Sequence, residues 1–208
     1  MMPVDMATLD EPPGLRDRKK DRNRRLVHAT ALRLFTERGY DHVTVEDVAE
    51  ACDLSRATIF RYFPTKEHLV VGPEPDRLHE LQEAYEQRPA TEPAFDSIRH
   101  ALVALAHRYE DERDQIIAVS RIVTGHDALL ARAEGLRAEW TSAFGALISQ
   151  RSSPADRAGL RSRVLAGAVM AAISVAIEEW LGTDGDADLA ALLAEAMSLL
   201  ADGFDAGG

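Results

Sequence analysis

Residues 44–66 read TVEDVAEACDLSRATIFRYFPTK, and three helix starts fall within this one short stretch. Thr44 with Asp47 three residues on forms a capping box: a hydroxyl for the orphan amides and an acid near the positive helix end. Val45, Val48 and Ala49 then repeat at helical spacing, and this short helix is expected to end near Cys52-Asp53. Ser55 caps a second helix, with Thr58 three residues later and Ile59, Phe60 and Phe63 along it. Thr65, behind Pro64, reads as a third cap that opens a further helix at Lys66.

Two helices of about eight residues joined by a tight turn cannot bury a core alone, but they fit a helix-turn-helix. The second helix of that motif offers its N-terminal side chains to the DNA major groove, and here it begins Ser55-Arg56-Ala57-Thr58 with Arg61 a turn on. Upstream lies an amphipathic helix ending LFTERGY (34–40); downstream the second helix runs LSRATIFRYFPTKEHL (54–69). This ordered set, from about Arg22 to Leu69, resembles the N-terminal domain of TetR-family transcriptional regulators.

Two departures from that family are visible. The family usually has Gly at the turn, where Asp53 stands here; Asp tolerates the left-handed conformation at some cost. The family often has Tyr at the position of Phe60, whose hydroxyl can reach a phosphate, and His or Tyr at the position of Tyr62.

Composition sets further bounds. The chain has 208 residues, enough for one large or two smaller domains with a proper core. Its single cysteine, Cys52, excludes an internal disulfide and suits a reducing cytoplasm; a small buried residue at the helix turn is a simpler reading than a redox sensor. The net charge of −11 would ordinarily argue against nucleic acid. Its distribution argues the opposite: residues 16–66 carry a net +4 and the rest of the chain −15. A basic head on an acidic body presents only one end to a polyanion. No secretory signal is read in residues 1–14, and the longest apolar run, Val164–Ile177, spans 14 residues where a membrane helix needs about 20.

The expected architecture is all-α, about nine helices, with a three-helix DNA-binding head and a larger helical body. Residues 1–14 are expected to be a disordered tail, 15–66 the helix-turn-helix domain, and 67–208 the ligand-binding and dimerisation domain. The basic run RDRKKDRNRR (16–25) leads into helix 1, whose apolar face is Val27, Ala31, Leu34 and Phe35 and whose end is Gly39. Helix 4 is expected from Thr65 to Gln87, kinked at Gly72-Pro73 and Pro75. Helices 5, 6 and 7 are expected near 93–113, 114–123 and 126–151. Helix 8, near 154–181, is apolar on every side, so one face should meet its own core and the other a partner subunit. Helix 9 is expected near 186–202.

Candidate DNA contacts divide in two. Arg56, Ala57 and Thr58 are expected to read bases, with Arg61 at a base edge or adjacent phosphate and Ser55 and Phe60 on the same helix. Thr44, Tyr62 and Lys66 lie at helix starts and flanks and are expected to hold phosphates, as is Arg24 in the basic run.

In the body, Tyr109, Trp140, Phe144, Met170 and Ile173 are candidate ligand contacts, with Arg121 and His107 as polar groups to orient a ligand. The resemblance implies an effector site here, since such proteins bind inducers in this region, and the body bears a weaker resemblance to the subgroup that binds acyl-CoA-type ligands. Ala168, Ala172, Val175, Leu193 and Met197 are the candidate dimer contacts. His100 and His107, seven apart on helix 5, read as pocket-polar or partly exposed residues; the Glu-x-x-His pair of di-iron bundles is absent. Asp184, Asp186, Asp188 and Glu195 match calcium-loop positions, yet Leu189 occupies the required glycine and the helix pattern continues through, so the aspartates read as an acidic cap for helix 9. No catalytic set, metal site or cofactor is expected. The reading is a cytoplasmic, homodimeric regulator, a repressor in sign by resemblance, with operator DNA and a hydrophobic effector as partners. The rival readings are an architectural DNA binder and an all-α enzyme or metal bundle.

Overall fold

The computed structural model describes residues 15–71, 75–151 and 159–203, and all of the expectations placed on residues 1–14 and on Gly72-Pro73 lie outside them. Among the described residues there are nine α-helices and no strand. The chain divides into two compact units, Met1–Val70 and Val71–Gly208.

In the first unit, α1 (Leu15–Arg38) carries its basic run into an apolar stripe in which Val27, Ala31, Leu34 and Phe35 are all buried. Their spacing of four, three and one residues puts them on one helical face. Gly39 ends the helix at φ 87°, ψ 142°, a conformation essentially confined to glycine. The chain then makes a 3-10 turn at Tyr40–His42 and enters α2 (Val45–Ala51) and α3 (Arg56–Tyr62). Thr44 and Asp47 form the reciprocal capping box: Thr44 Oγ1 accepts from Asp47 N at 3.1 Å, and Thr44 N donates to Asp47 Oδ2 at 2.6 Å. Asp53 takes the left-handed conformation at φ 54°, with Asp53 N–H donating to Glu50 O and Leu54 N–H to Ala49 O. That residue turns the chain sharply enough for Val48 and Ile59 to be buried with Phe35 and Phe63 in one core. Cys52, the C-cap of α2, is half-buried rather than buried.

The expected long helix from Thr65 to Gln87 does not form. A 3-10 turn at Glu67–Leu69 closes the first unit, and α4 (Pro75–Glu86) opens in the second. Pro75 stands at the first helical position, where its missing N–H costs nothing. Thr65 does not cap a backbone either; its hydroxyl bonds the side chains of Glu67 and, at 2.9 Å, His68.

The second unit comprises α4, α5 (Ala94–Asp111), α6 (Arg113–Thr124), α7 (Asp127–Gln150), α8 (Leu160–Gly182) and α9 (Leu189–Asp202). α8 packs between α7 and α9, α9 also lies along α5, and α5 along α4. Their shared core includes Leu81, Ile98, Phe144, Val169 and Met197, all fully buried. Tyr85 OH donates to Leu147 O at 2.8 Å, and the Arg151 guanidinium reaches Tyr85 O at 2.7 Å, Arg88 O at 3.0 Å and Ser97 Oγ at 2.6 Å. A cation therefore satisfies carbonyls at the C-terminal end of α4, where the helix dipole favours it.

α8 is long and apolar enough to cross a membrane by length and composition alone, with a mean hydropathy of 1.7 over its most apolar window. Its buried positions, Ser162, Ala166, Val169, Ala172, Ala176 and Trp180, fall on one face packed into the core, as in the central helix of a folded domain. The expected dimer contacts lie on α8 and α9. Ala172, Leu193 and Met197 are buried in the chain's own core and Ala168 is half-buried, so only Val175 stands exposed. An all-apolar helix has no hydrophobic phase, and its inner face cannot be told from its outer one by pattern.

Candidate functional site

In the first unit α3 presents its N-terminal residues outward. Ser55, Arg56, Ala57 and Arg61 are exposed, Thr58, Phe60 and Tyr62 half-buried, and Ile59 buried beneath. Ser55 Oγ accepts from Thr58 N at 3.2 Å and lies 2.9 Å from Thr58 Oγ1, which orders the first turn of the helix. Arg56 Nη1 meets Glu46 Oε1 at 2.6 Å, and its guanidinium lies 5.2 Å from the Phe60 ring centroid. Phe60, lacking the family's hydroxyl, thus acts as an aromatic platform that holds Arg56 at the face. Glu46 was not among the residues expected here; only the packing of α2 on α3 brings the two together.

Arg61 lies over the Tyr62 ring at 5.1 Å, with Nη2 3.4 Å from Tyr62 OH. The Tyr62 hydroxyl is held below its ordinary acidity value first by Arg61, against the opposing effect of burial, and then by Asn23 and Lys20. Those last two belong to α1, so the basic end of that helix stands beside α3. Arg24, on the same turn, is half-buried.

Two expected phosphate holders are already engaged. Thr44 is exposed, but its hydroxyl donates to Asp47 Oδ2 at 2.5 Å. Lys66 Nζ donates to Tyr40 O at 2.6 Å and lies 4.1 Å from the Tyr40 ring centroid and 5.7 Å from that of Phe35. Burial lowers its pKa despite Asp41, Glu67 and Asp47 nearby. Lys66 therefore braces the head; two of its three N–H groups remain for another acceptor.

The second unit contains a cavity of about 200 Å³. α5 contributes Leu102, Leu105, Ala106 and Tyr109, and α7 contributes Ala133, Leu136, Arg137 and Trp140. Met170, Ile173 and Ile177 of α8, with Leu189 and Leu193 of α9, complete the wall. Of the expected ligand contacts, Tyr109, Trp140, Met170 and Ile173 are in this wall. Phe144 is not: it is fully buried behind Trp140, ring centroids 5.9 Å apart. Arg121 is not either, since its exposed guanidinium donates to Asp184 Oδ1 at 2.9 Å. His107 is exposed and pairs with Glu110 at 3.5 Å. The polar wall residue missed by sequence is Arg137, although it lies one turn from both Ala133 and Trp140 and so flanks the apolar stripe of α7.

The acidic segment before α9 divides in its tasks. Only Asp188 caps, its Oδ1 accepting from Ala191 N at 2.8 Å, while Asp184 and Asp186 bind Arg121 and Arg113 of α6. His100 pairs with Glu92 at 3.1 Å, and no group of three potential metal ligands occurs among the described residues.

The model of bacterial regulatory proteins of the tetR family matches residues 28–71, and that of the MftR C-terminal domain matches residues 92–205. The chain belongs to the TetR family. It is 31% identical over 207 residues to the transcriptional regulator TcmR of Streptomyces glaucescens, covering 91% of this chain and 89% of TcmR. It is 25% identical over 179 residues to MftR of Mycobacterium tuberculosis, covering 86% of this chain and 89% of that one. Thermus thermophilus FadR, a TetR-family repressor solved with lauroyl-CoA, shares the fold at TM-score 0.56 and 22% identity, covering 86% of this chain and 94% of FadR. Relatives of this TetR-family chain are transcriptional regulators, not enzymes.

Proposed function

We propose that this TetR-family regulator is a homodimeric repressor, released from a near-palindromic operator by a small hydrophobic or amphipathic ligand. The observation that carries the reading is the apolar cavity walled by α5, α7, α8 and α9, in a chain whose other unit holds an exposed recognition helix. Residues 15–66 then serve as the DNA-binding domain and 67–208 as the ligand-binding and dimerisation domain. FadR, a repressor solved with lauroyl-CoA, supports both the sign and the binding of a ligand. A DNA-bound regulator of this kind works in the cytoplasm.

Dimerisation has its own support. α8 exposes Leu160 (70%), Val164 (61%) and Val175 (55%), with the small exposed residues Gly167 and Ala171 between them on one stripe. Contiguous exposed apolar surface of this kind marks an interaction face, and an isologous contact across a two-fold axis would cover it and place two heads on one duplex. Within each head, Arg56, Ala57 and Thr58 read bases, Ser55 orders their turn, and Arg61, Tyr62 and Arg24 approach the backbone, with Thr44 and Lys66 contributing through what their present bonds leave open.

The test is linkage. A compound that stabilises the protein in a thermal-shift screen is titrated with and without operator. A ligand that weakens operator binding tenfold must bind the DNA complex tenfold more weakly. Equal affinity in both titrations would show an occupied cavity that is not a switch.

A further inference from the structure

We propose that the body cavity takes a compact apolar molecule bearing a single anionic group, with Arg137 holding that group at the mouth; this rests on the ligand-binding reading of the body. Among the described residues, the wall carries one charged side chain, Arg137, with aliphatic residues and the rings of Tyr109 and Trp140. Apolar walls supply affinity and a lone charge supplies orientation, the usual division of labour in small-molecule sites.

Arg137 is also arranged to exchange its partner. Its Nε and Nη2 both donate to Glu134 Oε2, at 3.1 and 2.7 Å, across one turn of α7. The two side chains are 49% and 67% exposed, so this is a weak, solvent-screened pair. A ligand carboxylate presented from the cavity would take up the same two parallel donors, for which the planar guanidinium is suited. Glu134 would return to water.

Size and charge together restrict the class. A cavity of about 150 Å³ accommodates benzene; about 200 Å³ suits a body of one or two rings, or a short aliphatic chain. The next arginine back along α7, Arg132, donates to Glu139 at 3.1 Å and is only 15% exposed. A coenzyme A head group, with several phosphates, would meet a single guanidinium among the described wall residues. The geometry therefore favours the free acid over its thioester.

The experiment uses the full-length protein, 1-naphthoate, its neutral methyl ester, octanoate and octanoyl-CoA. Binding is followed by calorimetry for wild type, Arg137→Gln and Trp140→Ala. The expected result is that wild type binds each free acid at least tenfold more tightly than the ester or thioester. Arg137→Gln brings 1-naphthoate down to the level of its ester, and Trp140→Ala weakens both. The proposal is overturned if ester and acid bind alike to wild type, if the preference for acid survives Arg137→Gln, if octanoyl-CoA binds more tightly than octanoate, or if Trp140→Ala changes nothing. Binding of the neutral ester without acid preference would overturn the anion assignment and leave the ligand-binding reading standing. Failure of all four compounds likewise overturns the proposal, and the linkage screen above then judges the broader reading separately.

Discussion

The guanidinium of Arg77 lies 4.2 Å from the ring centroid of Tyr109, and that ring is part of the cavity wall. Arg77 sits in the first turns of α4, the helix that follows the DNA-binding head in the chain, and also bonds Glu112 at the start of α6. A ligand that shifts Tyr109 must therefore disturb α4 and α6 through one cation.

The first prediction concerns that contact. Tyr109→Phe keeps the ring and should retain the response to a ligand, whereas Tyr109→Leu or Arg77→Ala should cut the ligand's effect on operator affinity at least threefold. Operator titrations with and without ligand provide the check. Full response in both Tyr109→Leu and Arg77→Ala would remove this contact from the route.

How much of this was legible in the sequence depends on how local the signal is. The capping box at Thr44-Asp47, the Ser55 cap and the left-handed Asp53 are each set by neighbours within a few residues, and all three were readable. The break after Leu69 was not, because Thr65 offers a cap-like hydroxyl that the fold spends on side chains. The cavity was half-readable: Trp140 lies on the apolar stripe of α7, but Phe144, one turn on, points deeper into the core. The pairing of Arg121 with Asp184 was not readable, because the two lie 63 residues apart.

Backbone strain at the helix turn gives a second prediction. Asp53 holds φ 54°, where glycine carries no Cβ penalty. Asp53→Gly should stabilise the head by up to about 1 kcal/mol, raising its Tm by at most roughly 4–8 °C. Gly39→Ala, at φ 87°, should destabilise by about 1–3 kcal/mol. Thermal unfolding followed by circular dichroism distinguishes the two signs.

The exposed stripe of α8 gives a third. Val164→Glu and Val175→Glu place charge on the outer face and should yield folded monomers in sedimentation. Ala172→Glu, on the inner face, should instead unfold the body. Dimers persisting in both valine variants would move the interface elsewhere.

A fourth follows from Glu92, whose carboxyl is held down to about 2 by Arg88 first, then by Ser97 and His100, against a smaller opposing effect of burial. Its ordinary value is 4.5, so the folded state favours the ionised form. The stabilisation is complete above that value and is lost as pH falls toward 2. Glu92→Gln should therefore lower Tm at pH 7, and the gap to wild type should narrow as pH drops from 5 to 3. A gap independent of pH would show that the carboxylate's charge is not what stabilises this corner.

The central claim is that α3 reads an operator through Arg56, steadied by Glu46 and Phe60. DNA fragments selected from a random pool by wild type and by Arg56→Ala test it most directly. Wild type should enrich a near-palindromic motif with half-site centres about one helical turn, ~34–36 Å, or a multiple apart. Arg56→Ala should lose discrimination at one base pair in each half-site, about 1–3 kcal/mol, while binding to random DNA changes little. Enrichment of no motif by wild type, or equal losses on operator and random DNA for Arg56→Ala, would contradict the claim.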